Sequence, residues 1–362
     1  MRLLCIDIGS NTQDVLFLDT TQPVENALQL VLPAPTILVG EKIKAATLQG
    51  NSILMVGETM GGGACTQALK KHLAAGLTAY SIPTAALTFN DDLEEVSSWG
   101  VILVSSDEIP QLKVDTIIRL GDVTLDIFRE SLSRWDIQLD PNAVAIAVLD
   151  HGTALRNESQ RLSRFKHIEQ LLKQHDNLDA LIFTPDDLPE YFTRMRAVAR
   201  TLGGEFLPIL LDTGVAAVLG TSLDRTVIPH PHRLAINVGN SHTIAFLLAD
   251  YSRVLGLFEH HTGLLSMTKL ESFIERLISG ELSLAEIWEN GGHGSFIIAK
   301  GENPFLVVTG PRRALLVPSQ LHPYFAAPFG NMMLAGCFGL AKAVAVRFPE
   351  WRDEIEKALA VN

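Results

Sequence analysis

Apolar and polar residues alternate in blocks from the first positions of the chain. Residues 3–8 are apolar apart from Asp7, residues 9–12 are small and polar, and residues 14–18 return to apolar side chains after Asp14. This succession predicts a strand, a tight turn and a second strand. About 230 positions later the pattern recurs: residues 234–238 are apolar apart from Asn237, a polar turn follows, and residues 244–248 are apolar again. A pattern present once in each half predicts a duplicated unit, with two turns placed to hold one polyphosphate from opposite sides.

Between and beyond the hairpins, the periodicity predicts alternating strands and helices. Residues 26–32 suit a third strand, ended by the prolines at 33 and 35. Residues from about 36 to 115 read as an insertion, with a buried strand at 52–56, a glycine-rich turn at 57–63 and a helix at 64–75. A buried strand at 143–149 ends in Asp150, His151 and Gly152, and Leu162, Phe165, Ile168, Leu171 and Leu172 then share one helical face. A strand at 179–183 and a helix at 189–202 follow. Residues 211–221 predict a short helix with a face of glycine and alanine, and residues 331–341 an equally small-faced partner able to cross it closely. The second half continues with a strand at 253–259, a helix with Met267, Leu270, Phe273, Ile274 and Leu277 on its core side, and a strand at 305–308 that breaks at Thr309 and Gly310. A proline-broken loop at 317–330 and a surface helix at 351–359 complete the chain. Strands alternating with helices predict an α/β fold with parallel pairing, in which the carboxyl ends of strands line a cleft. The expected division is a first unit over 1–207 carrying the insertion, a second over 208–345, and a C-terminal helix over 346–362.

Several positions carry candidate chemistry. In the first turn, Gly9, Ser10, Asn11 and Thr12 let successive backbone N–H groups approach an oxyanion while Asp7 faces its counter-cation. Gly61, Gly62 and Gly63 open a helix, where free first-turn N–H groups favour an anion. The run is neither a Walker loop nor G-x-G-x-x-G, and a connector that needs positive φ accounts for it equally. Asp150 and His151, at a strand end, are site candidates or a turn aspartate with a hydrogen-bonded histidine. His260, His261 and His293 fall in two turns without the spacing of any known zinc motif, so they read as turn histidines with local hydrogen bonds.

Composition narrows the classes. A chain of 362 residues that is 47 % hydrophobic and 19 % charged suits two buried cores. Its net charge of −12 argues against a nucleic-acid or anionic-membrane partner. Cys5, Cys65 and Cys337 are scattered, which suits a reducing compartment and provides neither a disulfide framework nor a metal-cluster motif. The first apolar run is too short for a signal peptide, and the late run at 332–346 is too short for a membrane span and contains Lys342. A cytoplasmic location is expected.

The two hairpins, the Asp212-Thr213-Gly214-Val215-Ala216-Ala217 helix start, the Thr309-Gly310-Pro311 turn and the small-faced helix at 331–341 resemble, in order, the superfamily of sugar and acetate kinases, heat-shock chaperone ATPases and actin. The resemblance implies two RNase-H-like, actin-like ATPase domains around a nucleotide cleft, with ATP and Mg2+ as cofactors. It implies that Asp7 holds magnesium, that Gly9, Ser10, Asn11 and Thr12 with Gly239, Asn240, Ser241, His242 and Thr243 hold the phosphates, and that adenosine lies against Thr309, Gly310 and Pro311. Asn237 stands where relatives have a second aspartate, a catalytic and metal-binding position; loss of that charge favours binding over hydrolysis. Gly61, Gly62, Gly63 and His151 would form the acceptor side, with Asp150 as catalytic base. The glycine and histidine turns at 57–63, 149–152, 260–263 and 291–294 further resemble an uncharacterised prokaryotic family labelled as pyruvate formate-lyase activating enzymes. Glycyl-radical activases of the usual kind need a C-x-x-x-C-x-x-C motif, which the three cysteines do not form. Three function classes follow: a small-molecule kinase or ATPase, an ATP-dependent reactivase or chaperone-like switch acting on a partner protein, and an exopolyphosphatase-like phosphohydrolase. The expected partners are a nucleotide and a small-molecule or protein substrate.

Overall fold

The computed structural model of the chain describes residues 1–153, 159–203 and 205–360. Strands β1 (Arg2–Ile8) and β2 (Thr12–Asp19) form the first antiparallel hairpin, and β3 (Leu28–Pro33) extends it. The inserted segment follows as α1 (Pro35–Leu48), β4 (Ile53–Gly57), α2 (Ala64–Ala74), β5 (Ala79–Ser81), α3 (Pro83–Ala86), α4 (Leu93–Ser98), β6 (Ile102–Leu103) and β7 (Thr116–Leu120). The chain then returns through α5 (Leu125–Ser133), β8 (Ala143–Val148), α6 (Gln160–Gln174), α7 (Thr193–Leu202) and β9 (Ile209–Leu211). Helix α8 (Thr213–Thr221) leads to β10 (Arg233–Val238), β11 (His242–Ala249), β12 (Arg253–His261), α9 (Met267–Ser279), α10 (Leu284–Glu289), β13 (Gly294–Ile297), β14 (Phe305–Thr309) and β15 (Tyr324–Phe325). Helices α11 (Ala335–Arg347) and α12 (Pro349–Ala358) end the fold.

The duplication expected from the hairpins is visible in the sheets. The first runs β3-β2-β1-β8-β9 and the second β13-β12-β11-β10-β14-β15. In each, an antiparallel three-strand meander lies on one side, extended by β13 in the second sheet, and parallel strands are added to the first strand on the other. This is the RNase-H-like topology, present twice. The turns agree in detail: the Gly9 N–H donates to the Thr12 carbonyl and the Gly239 N–H to the His242 carbonyl, both at 2.9 Å. The inserted segment builds a third, all-parallel sheet, β6-β5-β4-β7, around its own core of Ile43, Ile53, Met55, Leu69 and Ile118. Its last strand, β7, lies beyond residue 115.

Two expectations are corrected. The strand expected at 179–183 is a 3-10 turn, Leu178–Leu181, because the Asn177 side chain accepts the Asp179 N–H and curls the backbone. Only Phe183 bridges to Leu210, and β9 takes the place beside β8. The small-faced helix starts at Ala335 rather than 331, since the Asn331 side chain accepts the Met333 N–H and holds a turn ahead of it.

The two sheets share one apolar core, in which Leu3, Cys5 and Ala145 of the first meet Phe246, Leu248 and Leu257 of the second across α8 and α11. Those helices cross backbone to backbone. A Cβ on Gly220 would lie 1.8 Å from the Ala335 carbonyl oxygen, and one on Gly339 would lie 1.9 Å from that of Ala216. Substituting either glycine therefore has to separate the helices, since the obstructing atoms are backbone. We expect Gly220→Ala and Gly339→Ala each to cost about 1–3 kcal/mol or more, lowering the melting temperature by roughly 2–4 °C per kcal/mol. Gly263→Ala, with no atom within 4 Å of its added carbon, should melt like wild type. Equal melting of all three proteins in calorimetry would refute the close crossing.

Candidate functional site

A cleft of about 510 Å3 opens between the two hairpin turns. Asp7, Gly9, Ser10, Asn11 and Thr12 line it from one side, and Asn237, Gly239, Asn240, Ser241 and His242 from the other. The turns touch at their tips, where the Ser241 hydroxyl donates to the Ser10 hydroxyl at 2.8 Å. At Gly239 an added Cβ would lie 2.6 Å from the His242 carbonyl oxygen, so the second turn has no room for a larger residue. Thr309, Gly310 and Pro311 border the same space. Gly310 has a φ of +97°, and a Cβ there would meet the Asn237 amide oxygen and the Val238 carbonyl oxygen at 2.5 Å. Its lack of a side chain lets the end of β14 close on the Asn237 turn.

The floor of the cleft is acidic. Asp14 stands opposite Asp7 in the hairpin, and Asp212 at the start of α8 also lines the space. Burial, reinforced by the charges of Asp14 and Asp212, raises the Asp7 carboxyl well above its usual range. Burial pushes Asp14 up to about 7 against the lowering effect of the Thr12 hydroxyl. One buried oxygen of Asp7 and one of Asp14 have no hydrogen-bond partner among the described residues. Carboxylate oxygens left over beside a phosphate-sized space are a donor set that fits a hard divalent cation such as magnesium. Asp14 was legible from the hairpin register, because closing a turn over 9–12 pairs 7 with 14. Asp212 gave no sign beyond its role as helix cap, accepting the Gly214 N–H at 2.8 Å.

Of the residues expected to form an acceptor side, Gly61, Gly62, Gly63 and His151 line the same cleft as Gly9. Asp150 does not. It is 2 % exposed, and its two oxygens accept the Gly152 and Met195 N–H groups, each at 2.8 Å. Burial raises it to about 6 despite those bonds, but with both oxygens engaged it serves the backbone, and its assignment as catalytic base is corrected. Thr243 is likewise corrected: it is fully buried behind the turn, its hydroxyl 2.9 Å from that of Thr262.

Beside the second turn lies a constellation that sequence reasoning missed. Arg164 of α6 is 1 % exposed. Its Nε donates to Glu259 Oε2 at 3.0 Å, one Nη donates to the Asp150 carbonyl at 2.8 Å, and the other pairs with Asp212 at 2.9 Å. Burial alone would raise Glu259, but the Arg164 guanidinium and the hydrogen bond from His242 hold it well below the usual carboxylate range. The other Glu259 oxygen lies 2.9 Å from His242 Nδ1. Around His242 stand the rings of His151, His261 and His293, with centroids 5.9, 5.0 and 4.6 Å away. Burial lowers His151 to about 3, His261 to about 4 and His293 to about 2, so these three rings are neutral at physiological pH. His260 follows the expected local pattern, its Nδ1 3.0 Å from the His261 carbonyl. His293 does not, since neither ring nitrogen has a hydrogen-bond partner among the described residues. No sequence spacing marks this cluster, because its four members come from four separate turns.

Comparison with known proteins places the chain. No curated protein matches it. Among solved structures it is similar to the ethanolamine utilization protein EutJ from Carboxydothermus hydrogenoformans, with 10 % identity over 94 % of this chain and 89 % of that one and a TM-score of 0.35. It is similar to the activator of the 2-hydroxyisocaproyl-CoA dehydratase from Clostridium difficile with bound ADPNP, with 10 % identity over 98 % of each chain and a TM-score of 0.32. It is also similar to the inorganic polyphosphate/ATP-glucomannokinase from Arthrobacter sp. strain KM, with 12 % identity over 96 % of this chain and 99 % of that one and a TM-score of 0.35. The model of one protein family, described as "Putative pyruvate format-lyase activating enzyme (DUF1786)", matches residues 60–315. That span is more than half of the chain and takes in the glycine run, the second hairpin and the histidine turns, so the chain belongs to the DUF1786 family.

Proposed function

We propose that the chain binds Mg-ATP between its two hairpin turns and acts as an ATP-dependent phosphotransferase on a small anionic acceptor. The observation that carries this reading is the pair of matched turns meeting at Ser10 and Ser241 over a floor of three carboxylates. Backbone N–H groups and hydroxyls of both turns would hold the phosphates, Asp7 and Asp14 would hold the cation, and the Thr309-Gly310-Pro311 turn would receive the nucleoside. When bound, magnesium supplies positive charge against the phosphate oxygens. Gly61, Gly62 and Gly63, which line the same space at the start of α2, would take the acceptor's anionic group.

A second reading, a nucleotide-driven switch acting on a partner protein, draws on one contact. A Cβ on Gly336 of α11 would lie 1.9 Å from an Asp7 carboxylate oxygen, so the cation site rests directly on a helix shared by both sheets. ATP turnover with and without a pool of phosphorylatable metabolites separates the two, because a kinase needs its acceptor and a switch does not. Release of phosphate from polyphosphate without ATP would instead favour the phosphohydrolase class.

Calorimetry with ATP or a non-hydrolysable analogue should show magnesium-dependent binding that Asp7→Ala weakens by about tenfold or more, roughly 1.4 kcal/mol. No binding by the wild-type chain, or equal binding by the variant, would sink the proposal. Asn237 adds a second expectation. An amide can hydrogen-bond a water or a phosphate oxygen but lacks the charge that helps order magnesium. Asn237→Asp should therefore raise basal ATP hydrolysis about tenfold at saturating magnesium, measured as phosphate release. An unchanged rate with nucleotide still bound would show that this position does not limit hydrolysis.

A further inference from the structure

The geometry points to a second metal site in this chain, distinct from the carboxylate floor, in which His151, His242 and His293 bind a divalent transition ion of the zinc class. One ligand nitrogen from each ring can be chosen so that all three lie within 4.8 Å of one another. A tetrahedral ion with bonds of about 2.0–2.1 Å sets its donors roughly 3.4 Å apart, so the three rings would draw together on binding.

Three observations support a ligand here rather than a packed histidine cluster. First, His293 is fully buried and neither of its ring nitrogens has a hydrogen-bond partner among the described residues. Buried polar atoms are nearly always satisfied, and a metal bond would satisfy one of these. Second, His242 is already oriented as ligating histidines are, because its Nδ1 is bonded to the buried Glu259 carboxylate and Nε2 is left for coordination. Glu259 is itself fixed by Arg164, which extends the support by another layer. Third, the ligand type is selective. Three imidazoles suit zinc and its first-row neighbours, whereas magnesium calls for oxygen donors.

His151 and His242 border the cleft while His293 lies beneath it. The arrangement is therefore three protein ligands with a fourth position open toward the acceptor side, as in catalytic rather than structural zinc sites. An oxygen of a bound acceptor or a water would occupy it. The three ligands also come from both repeats, with His151 following β8 of the first sheet, His242 opening β11 of the second and His293 preceding β13. A bound ion would therefore join the two halves below the touching turns.

The site can be tested without nucleotide. Chain stripped with a chelator should take up about one equivalent of Zn2+ in competition with a chromophoric chelator, and Co2+ should give the visible absorption of a tetrahedral, nitrogen-rich site. His151→Ala, at a partly exposed turn position, and His293→Ala should each weaken Zn2+ by about a hundredfold or more and abolish the Co2+ bands. The exposed His175→Ala should bind like wild type, and circular dichroism confirms that each variant is folded. Absence of stoichiometric binding would overturn the proposal, as would Co2+ bands that survive both His151→Ala and His293→Ala. Uptake removed by Asp7→Ala but untouched by the histidine variants would assign the ion to the carboxylate floor and overturn it too.

Discussion

A buried guanidinium sets the constraint around which the cleft is assembled. Arg164 cannot be withdrawn from water uncompensated, because an unpaired charge in the interior is far costlier than any apolar burial it permits. Its partners are the Asp150 carbonyl at the end of β8, the Asp212 carboxylate that caps α8, and Glu259 on β12. Those groups belong to the first sheet, the connecting helix and the second sheet. Satisfying one side chain therefore fixes three elements, and it places Glu259 where it can also orient His242. Whatever separates the halves must leave a cation or a carboxylate short of partners, so α6 is held to both.

The duplicated units are alike in backbone and unlike in charge. In the first hairpin Asp7 faces Asp14 across the strands, while in the second the same register pairs Asn237 with Ile244. Ile244 packs toward α8, where its methyl group would lie 2.7 Å from a Cβ on Gly214. One repeat has thus kept a hydrophilic strand end able to face a cation, and the other has turned the equivalent position into part of the helix-packing surface. The paired carboxylates therefore belong to the first hairpin alone.

Much of this was legible in the sequence where local rules govern. The hairpins, their turns and the doubled topology follow from apolar alternation and small turn residues, and the crossing helices from their glycines and alanines. Asp14 was available from simple register counting. The segment at 179–183 misled because a run of apolar residues looks like a strand until Asn177 caps it into a turn. Asp150 misled because a carboxylate at a strand end is as useful to backbone N–H groups as to a substrate. Arg164 and the histidine cluster were beyond reach. Their meaning lies wholly in tertiary neighbours, and an arginine on a helix or a histidine after a glycine carries no sign of which distant turn will approach it.

The contact between Asp7 and Gly336 bears on how the molecule would respond to its ligand. Most helices meet a binding site through side chains, which swing and absorb small displacements before the backbone feels them. Here a carboxylate abuts bare main chain, and no atom of a side chain at 336 stands between. The joint has almost no slack. Movement of the carboxylate toward α11 meets main chain directly, and the same helix meets α8 backbone to backbone at Gly220 and Gly339. The site and the helix layers are thereby joined by close approach of main chain, made possible by missing methyl groups rather than by any added contact.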